Sequence, residues 1–168
     1  MARELLVMRH AKSSWSDDSL SDVDRPLSKR GKRDAAAMGR RLAQENLLPD
    51  LTLVSPAKRA RSTFKRLAGA SDYVGEVRLL AELYDSSVER LLRVLTNVPE
   101  AINRVLLIGH NPATESLVHL LTGRVVPLPT SAIAYIMLET DTWVEISFES
   151  RGTLRFAFMP QDAGDDNA

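Results

Sequence analysis

Arg9 and His10 stand side by side near the start of the chain, directly after the apolar run Leu5-Leu6-Val7-Met8. A guanidinium presents a planar fork of donors. A neutral imidazole presents a nucleophilic nitrogen and a proton. A second group, Ser55 and Arg59, lies just beyond Leu51-Thr52-Leu53-Val54. A third, His110 and Asn111, follows Val105-Leu106-Leu107-Ile108 and Gly109. Brought together, two arginines, two histidines and a helix N-terminus make an anion site, and paired guanidinium forks suit phosphate better than lysines would. Blander readings stand beside this one. Each apolar run could simply pass into a polar loop, or His10 and His110 could share a metal. A metal would want a third histidine or a carboxylate at ligand spacing. His119, the one other histidine, falls mid-helix, too far along from His110, and reads as a partly buried helix residue. No metal is expected. Glu82 serves equally well as a general acid or as a surface charge near a turn. No P-loop glycine pattern is present.

Three short apolar strands would have to carry these groups, each ending where its polar residues begin. In open α/β sheets the ligand crevice lies beyond the carboxyl ends of the strands, so parallel pairing would bring the three groups to one edge. Between strands, the pattern predicts helices. Ser28 caps one that runs to about Asn46 and buries Ala35, Met38 and Leu42. Lys29, Arg30, Lys32 and Arg33 crowd its first turn against the dipole and read as a solvated face. Ser55-Pro56 reads as an N-cap and first helical residue, with Ala60, Phe64, Leu67 and Ala68 buried behind it and Arg59 and Thr63 sharing another face. Val77–Leu80 reads as a short strand, and Ser86 with Glu89 as the capping box of a helix that packs Leu91, Leu92 and Leu95. Asn111 and Pro112 start a further helix, which uses Leu117, Leu120 and Leu121 and stops at Gly123. Ile133–Leu138, Trp143–Phe148 and Leu154–Phe158 look like strands joined by tight turns. The long polar connection from Lys12 to Leu27 holds Trp15, four aspartates and Pro26, and a connection of that length is usually functional or mobile.

At 168 residues the chain fits one domain over residues 1–159, with 160–168 an acidic tail expected to be disordered. Apolar residues make up 44% and charged residues 26%, the balance of a soluble globular protein. No apolar run approaches a membrane span, and no signal-peptide pattern is present. The chain has no cysteine, which excludes disulfides and thiolate metal sites. A cytoplasmic location is the expectation. Residues 1–66 carry 15 Lys and Arg against 8 Asp and Glu, and the remainder 7 against 14. The basic half can draw in an anion. With aromatics at only 5% and no aromatic-rich basic stripe, nucleic acid is a poor fit.

These blocks resemble the histidine phosphatase superfamily, the phosphoglycerate mutase-like group. Leu6-Val7-Met8-Arg9-His10-Ala11 is similar to its Arg-His-Gly signature, with Ala11 in place of glycine. Asp24-Arg25-Pro26-Leu27-Ser28 with Gly31, Ser55-Pro56 leading to Arg59-Ala60 and Thr63, and Gly109-His110-Asn111 follow in the family's order. The resemblance spans Leu5 to about Phe158. The short length and the segment Thr130-Ser131-Ala132-Ile133-Ala134 are most similar to the SixA-type phosphohistidine phosphatases. The resemblance implies a three-layer α/β/α sandwich with a mostly parallel central sheet. It implies that His10 is the nucleophile, that Arg9, Arg59 and His110, with Asn111, hold the phosphoryl group, and that Glu82 is a candidate acid. No cofactor is implied. The expected activity is metal-independent phosphoryl transfer to His10 and then to water. A phosphohistidine protein is the expected substrate, because the site has little cap material and an uncertain acid. The alternatives are a small-metabolite phosphomonoesterase or mutase, and a non-catalytic phosphate-binding module.

Overall fold

The computed structural model describes residues 1–160. It is a mixed α/β fold built on a six-stranded sheet: β1 (Glu4–Arg9), β2 (Leu51–Val54), β3 (Glu76–Leu79), β4 (Arg104–Gly109), β5 (Ile133–Leu138) and β6 (Gly152–Phe158), in the order β3-β2-β4-β1-β5-β6. The pairs β1–β4, β2–β4 and β2–β3 are parallel, while β5 lies antiparallel to β1 and β6. Strands buried on both faces read as continuous apolar runs rather than alternating ones, and β1, β2 and β4 do so.

Alternate residues of each strand feed two cores. Leu6, Met8, Val54, Leu106 and Ile108 pack with Met38, Leu42 and Leu67 of α1 (Lys29–Gln44) and α2 (Lys58–Ser71). Leu5, Val7, Leu53, Val105 and Leu107 pack with Leu91 and Leu95 of α3 (Val88–Thr96) and Leu117 and Leu121 of α4 (Ala113–Thr122). The sheet is thus covered on both faces, giving the expected three layers. Two glycines set how closely the α1 layer can approach. A Cβ at Gly39 would stand 2.3 Å from the Leu67 carbonyl oxygen, and one at Gly31 would stand 2.1 Å from that of Lys12. Gly31 therefore lets α1 begin against the segment that follows His10. Ser28 caps α1 as expected, its side chain accepting from the Gly31 amide at 3.0 Å. Gly123 ends α4 in the left-handed region at φ 69°.

Four local expectations are corrected. Ser55-Pro56 does not open α2, which begins at Lys58 with Ala57 at the cap position. Instead the Ser55 hydroxyl meets His110. The Ser86–Glu89 capping box is absent, and Ser87 caps α3 by accepting from the Arg90 amide at 3.2 Å. Asn111 does not cap α4. Pro112, which follows a cis peptide bond, holds that place, and the Asn111 side chain is drawn to Thr114, Glu115 and Leu128. Trp143–Phe148 is a set of turns rather than a strand. Its tryptophan anchors it: Trp143 is fully buried, and its Nε1–H donates to the Ile102 carbonyl at 2.6 Å. The Trp143 and Val144 amides both donate to Glu100, so these donors cannot serve a ladder. Smaller differences are that Phe64, Ala68 and Leu120 are only half-buried and that His119 is exposed. The basic first turn of α1 is exposed as expected. The tail expected to be disordered lies outside the described residues beyond Pro160. Among the described residues, no helix is long and apolar enough to cross a membrane.

Candidate active site

Strand register assembles the site. Arg9 pairs with Gly109 across β1–β4, and Val54 pairs with Ile108 across β2–β4. His10, Ser55 and His110 therefore leave three adjacent parallel strands at one level. The ladder continues one step beyond each end, with the His10 amide donating to the Gly109 carbonyl at 3.0 Å and the Ser55 amide to that of Ile108 at 3.1 Å. The His10 and His110 ring centroids lie 5.0 Å apart.

His10 is buried, and its Nδ1 lies 2.7 Å from the Ala11 carbonyl oxygen. A carbonyl only accepts, so Nδ1 carries the proton and the lone pair is left on Nε2. Burial, followed by the fields of His110, Arg59 and Arg9, pushes the His10 pKa down to about 3, against the opposing pull of the Ala11 carbonyl. The ring is neutral at physiological pH. Its support comes from α2: the Thr63 hydroxyl accepts from the Ala11 amide at 2.9 Å and donates to the Arg59 carbonyl at 2.7 Å. This accounts for Arg59 and Thr63 sharing a face. On the other flank, the Ser131 amide reaches both the Arg9 and His10 carbonyls, at 3.1 and 3.2 Å, from a residue at φ 70°.

Arg59 is buried and reaches His110 from the first turn of α2. Its Nη2 lies 3.4 Å from His110 Nδ1, and the Ser55 hydroxyl lies 2.7 Å from His110 Nε2. Guanidinium only donates, so His110 Nδ1 accepts and Nε2–H donates to Ser55. Burial, with Arg59 next, lowers the His110 pKa to about 4. Arg9 donates to the Leu128 carbonyl at 3.2 Å, and its buried Nε has no hydrogen-bond partner among the described residues. A buried donor left unpaired is an open demand for an acceptor.

Not every expected residue joins this cluster. Asn111 uses its amide donors on Glu115 Oε1 at 2.9 Å and the Leu128 carbonyl at 3.0 Å, so it holds the 128 loop that Arg9 also grips. Glu82 is exposed in a 3₁₀ turn (Ala81–Leu83), in a cleft with Arg78, Val94 and Val98. It forms no hydrogen bond or ion pair among the described residues. The carboxylate that does reach the cluster is Asp22, which sequence reasoning passed over. Arg59 Nη2 donates to Asp22 Oδ2 at 3.0 Å, and Arg59 Nη1 donates to the Asp22 backbone carbonyl at 2.6 Å. Tyr84 donates its hydroxyl to the same carboxylate at 2.6 Å and stands edge-on to His110, with centroids 5.5 Å apart. Arg25, buried beneath Trp15, holds Asp22 Oδ1 at 3.2 Å. The Tyr84 hydroxyl, then Arg59 and Arg25, depress the Asp22 pKa to about 2. In return, Asp22 raises that of Tyr84. The 12–27 connection is thus tied down by Arg25, by the bridge between Ser13 and Leu27 and by Asp22 itself. Among the described residues, no three His, Cys, Asp or Glu side chains gather as a metal site would need.

The profile of the histidine phosphatase superfamily (branch 1) matches residues 5–88. An uncharacterized chloroplastic protein of Arabidopsis thaliana is 33% identical over 155 residues, covering 86% of this chain and 71% of that protein. The phosphohistidine phosphatase SixA of Escherichia coli is 31% identical over 142 residues, covering 81% of this chain and 86% of its own. Among solved structures, the protein histidine phosphatase SixA complexed with tungstate superimposes with a TM-score of 0.82 at 25% identity. The match covers 96% of this chain and 99% of that one.

Proposed function

The chain belongs to the histidine phosphatase superfamily, and we propose that it hydrolyses phosphohistidine on a partner protein through a covalent intermediate on His10. One observation carries the chemistry. His10 is buried and neutral, its Nδ1–H is tied to the Ala11 carbonyl, and Nε2 is left free among cations. In-line attack by Nε2 on phosphorus leaves a phosphorylated ring whose Nδ1 proton stays on that carbonyl, and water then releases phosphate. Arg9 and Arg59 are the fixed donors for charge on the equatorial oxygens. His110 joins them when its Nδ1 carries a proton. The Ser55 hydroxyl, able to donate or accept, keeps its hydrogen bond to Nε2 in either tautomer. Asn111 is assigned the placement of the Leu128 carbonyl against Arg9 rather than direct phosphate contact.

The substrate reading rests on openness and on the acid. Only Tyr84 to Ser87 link the 3₁₀ turn to α3, too little chain for a lid of its own. An open mouth admits a side chain borne on a protein surface, whereas a small metabolite gains more from enclosure. Glu82 stands outside the hydrogen-bonded cluster, and Asp22, held ionised, is unsuited to donate a proton. An alkoxide leaving group needs such a donor and an imidazole needs it far less. The likeness to a phosphohistidine phosphatase and to a tungstate-bound structure supports the same reading. The test compares kcat/KM on a histidine-phosphorylated protein with kcat/KM on a panel of sugar and aryl phosphates. The phosphohistidine protein is expected to be preferred. Faster turnover of a small phosphomonoester would assign the site to a metabolite phosphatase, and no turnover of either would leave a phosphate-binding module.

A further inference from the structure

Asp22 is the chief partner of a buried cation of this anion site, which is an unexpected role for a negative charge. Arg59 Nη2 spends its two hydrogens on His110 Nδ1 and Asp22 Oδ2, and Nη1 spends one on the Asp22 carbonyl. The carboxylate is in turn fixed by Tyr84 and Arg25, while 54% of its side chain remains open to solvent. It therefore stands on the solvent side of the site, across the Arg59 guanidinium from His110. An in-line leaving group departs on the side of phosphorus opposite His10, toward the open side of the site.

We propose that Asp22, oriented by Tyr84, is a specificity-determining residue that selects leaving groups carrying a protonated nitrogen and discriminates against phosphomonoesters. The proposal deepens the phosphohistidine reading and rests on it. A phosphorylated imidazole protonated on its free nitrogen is a cation next to phosphorus, and Asp22 favours that state of the bound substrate. The transfer then balances without a proton donor. The Nε2 lone pair of His10 forms the new N–P bond. The electrons of the substrate's P–N bond return to the departing ring, which leaves as neutral imidazole because its other nitrogen already holds a proton. The ring of His10 becomes the protonated phosphorylated ring, its Nδ1–H still on Ala11. Donor and acceptor are the same chemical species, so the step runs between near-equal energies. A phosphomonoester has no such proton to bring. Its leaving oxygen builds up negative charge beside Asp22, which opposes it. The groups facing Asp22 are Arg59 from α2, Arg25 from its own loop and Tyr84 after the 3₁₀ turn, with His110 beyond Arg59 at the end of β4 and Asp85 next to Tyr84. The Tyr84 hydroxyl, with Arg59 and Arg25, holds the carboxylate charged throughout the working range of pH.

The experiment measures kcat/KM of wild type, Asp22→Asn and Asp22→Glu across pH, on a chemically phosphorylated histidine peptide and on p-nitrophenyl phosphate. One unit charge at a partly solvated mouth is worth about tenfold. Asp22→Asn is expected to lose about tenfold on the phosphohistidine peptide and to gain several-fold on the aryl phosphate. Its alkaline limb on the peptide should move down by about one pH unit, and Asp22→Glu should restore the limb. Equal changes on both substrates, in either direction, would overturn the proposal and make Asp22 a mere tether or plug of Arg59. The underlying reading fails separately, if wild type itself prefers the aryl phosphate. The ratio of the two substrates between variant and wild type still decides the role of Asp22 in that case.

Discussion

Arg59→Lys keeps the charge and removes the fork, which makes it a sharp test of how this site holds a phosphoryl group. The buried guanidinium spans three partners at once: the Asp22 carbonyl at 2.6 Å, the Asp22 carboxylate at 3.0 Å and His110 Nδ1 at 3.4 Å. An ammonium donates from one nitrogen atom and cannot span that spread while also leaving a donor for a phosphoryl group. One charge-assisted hydrogen bond lost in the transition state is worth about 1.5–3 kcal/mol, which is roughly a 10- to 150-fold fall in kcat/KM. The pH dependence of folding should move as well. The Asp22 pKa lies below its usual value, at about 2, partly through Arg59. The stability this brings is present above pH ~4 and is lost as pH falls toward 2. Without the fork, the carboxyl moves back toward its usual value, so the stability lost over that pH window becomes smaller. The assay is steady-state turnover of wild type and variant, with thermal unfolding followed from pH 7 down to 2. A folded Arg59→Lys within threefold of wild type would refute the bidentate role and place Arg59 at the periphery.

Three other expectations follow from the same geometry. Ser55→Ala leaves the His110 Nε2–H without its 2.7 Å partner; it should cost about 1–3 kcal/mol of stability and lower kcat, and an unchanged Tm and kcat would mean that water or another group serves His110 equally well. His10 and His110 have pKa values lowered to about 3 and about 4, so both bind more protons unfolded than folded, and their stability contribution is full above pH ~6.5 and drains as pH falls toward 4; in urea titrations His10→Asn should gain stability relative to wild type over that window, and a constant difference would contradict the assigned neutral state. Glu82→Gln should change kcat/KM on a phosphohistidine protein by less than about threefold, whereas a loss of 10²-fold or more would identify Glu82 as the general acid.

The chemistry of this chain is legible where it hangs on strands. Arg9, His10, Ser55 and His110 follow apolar runs whose ends must be level if the strands are parallel, and the register makes them so. Arg59 is legible by helical spacing from the second strand. Asp22 is different. It sits in a long polar connection among three other aspartates, and only the tertiary path of that connection separates it from them: Arg25 buried under Trp15, and Tyr84 arriving from the far side of the sheet order. No local pattern encodes such a meeting. The displaced caps share another cause. Ser55 and Asn111 look like helix caps by type and position, but both spend their side chains on the site and its supporting loop, so the helices start one to two residues later than the capping pattern implies. Trp143–Phe148 carries the apolar content of a strand because its tryptophan plugs the core from a turn, and composition alone does not distinguish the two uses.

The proposed mechanism has His10 Nε2 carry the phosphoryl group during turnover. It is tested most directly by mixing the protein with a histidine-phosphorylated substrate, quenching in alkali on the millisecond scale and locating the phosphate by mass spectrometry. The expected result is an acid-labile phosphoryl group on His10 in wild type, with turnover abolished in a folded His10→Ala. Steady turnover by His10→Ala, or phosphate transferred directly to water in wild type with His10 never labelled, would contradict it.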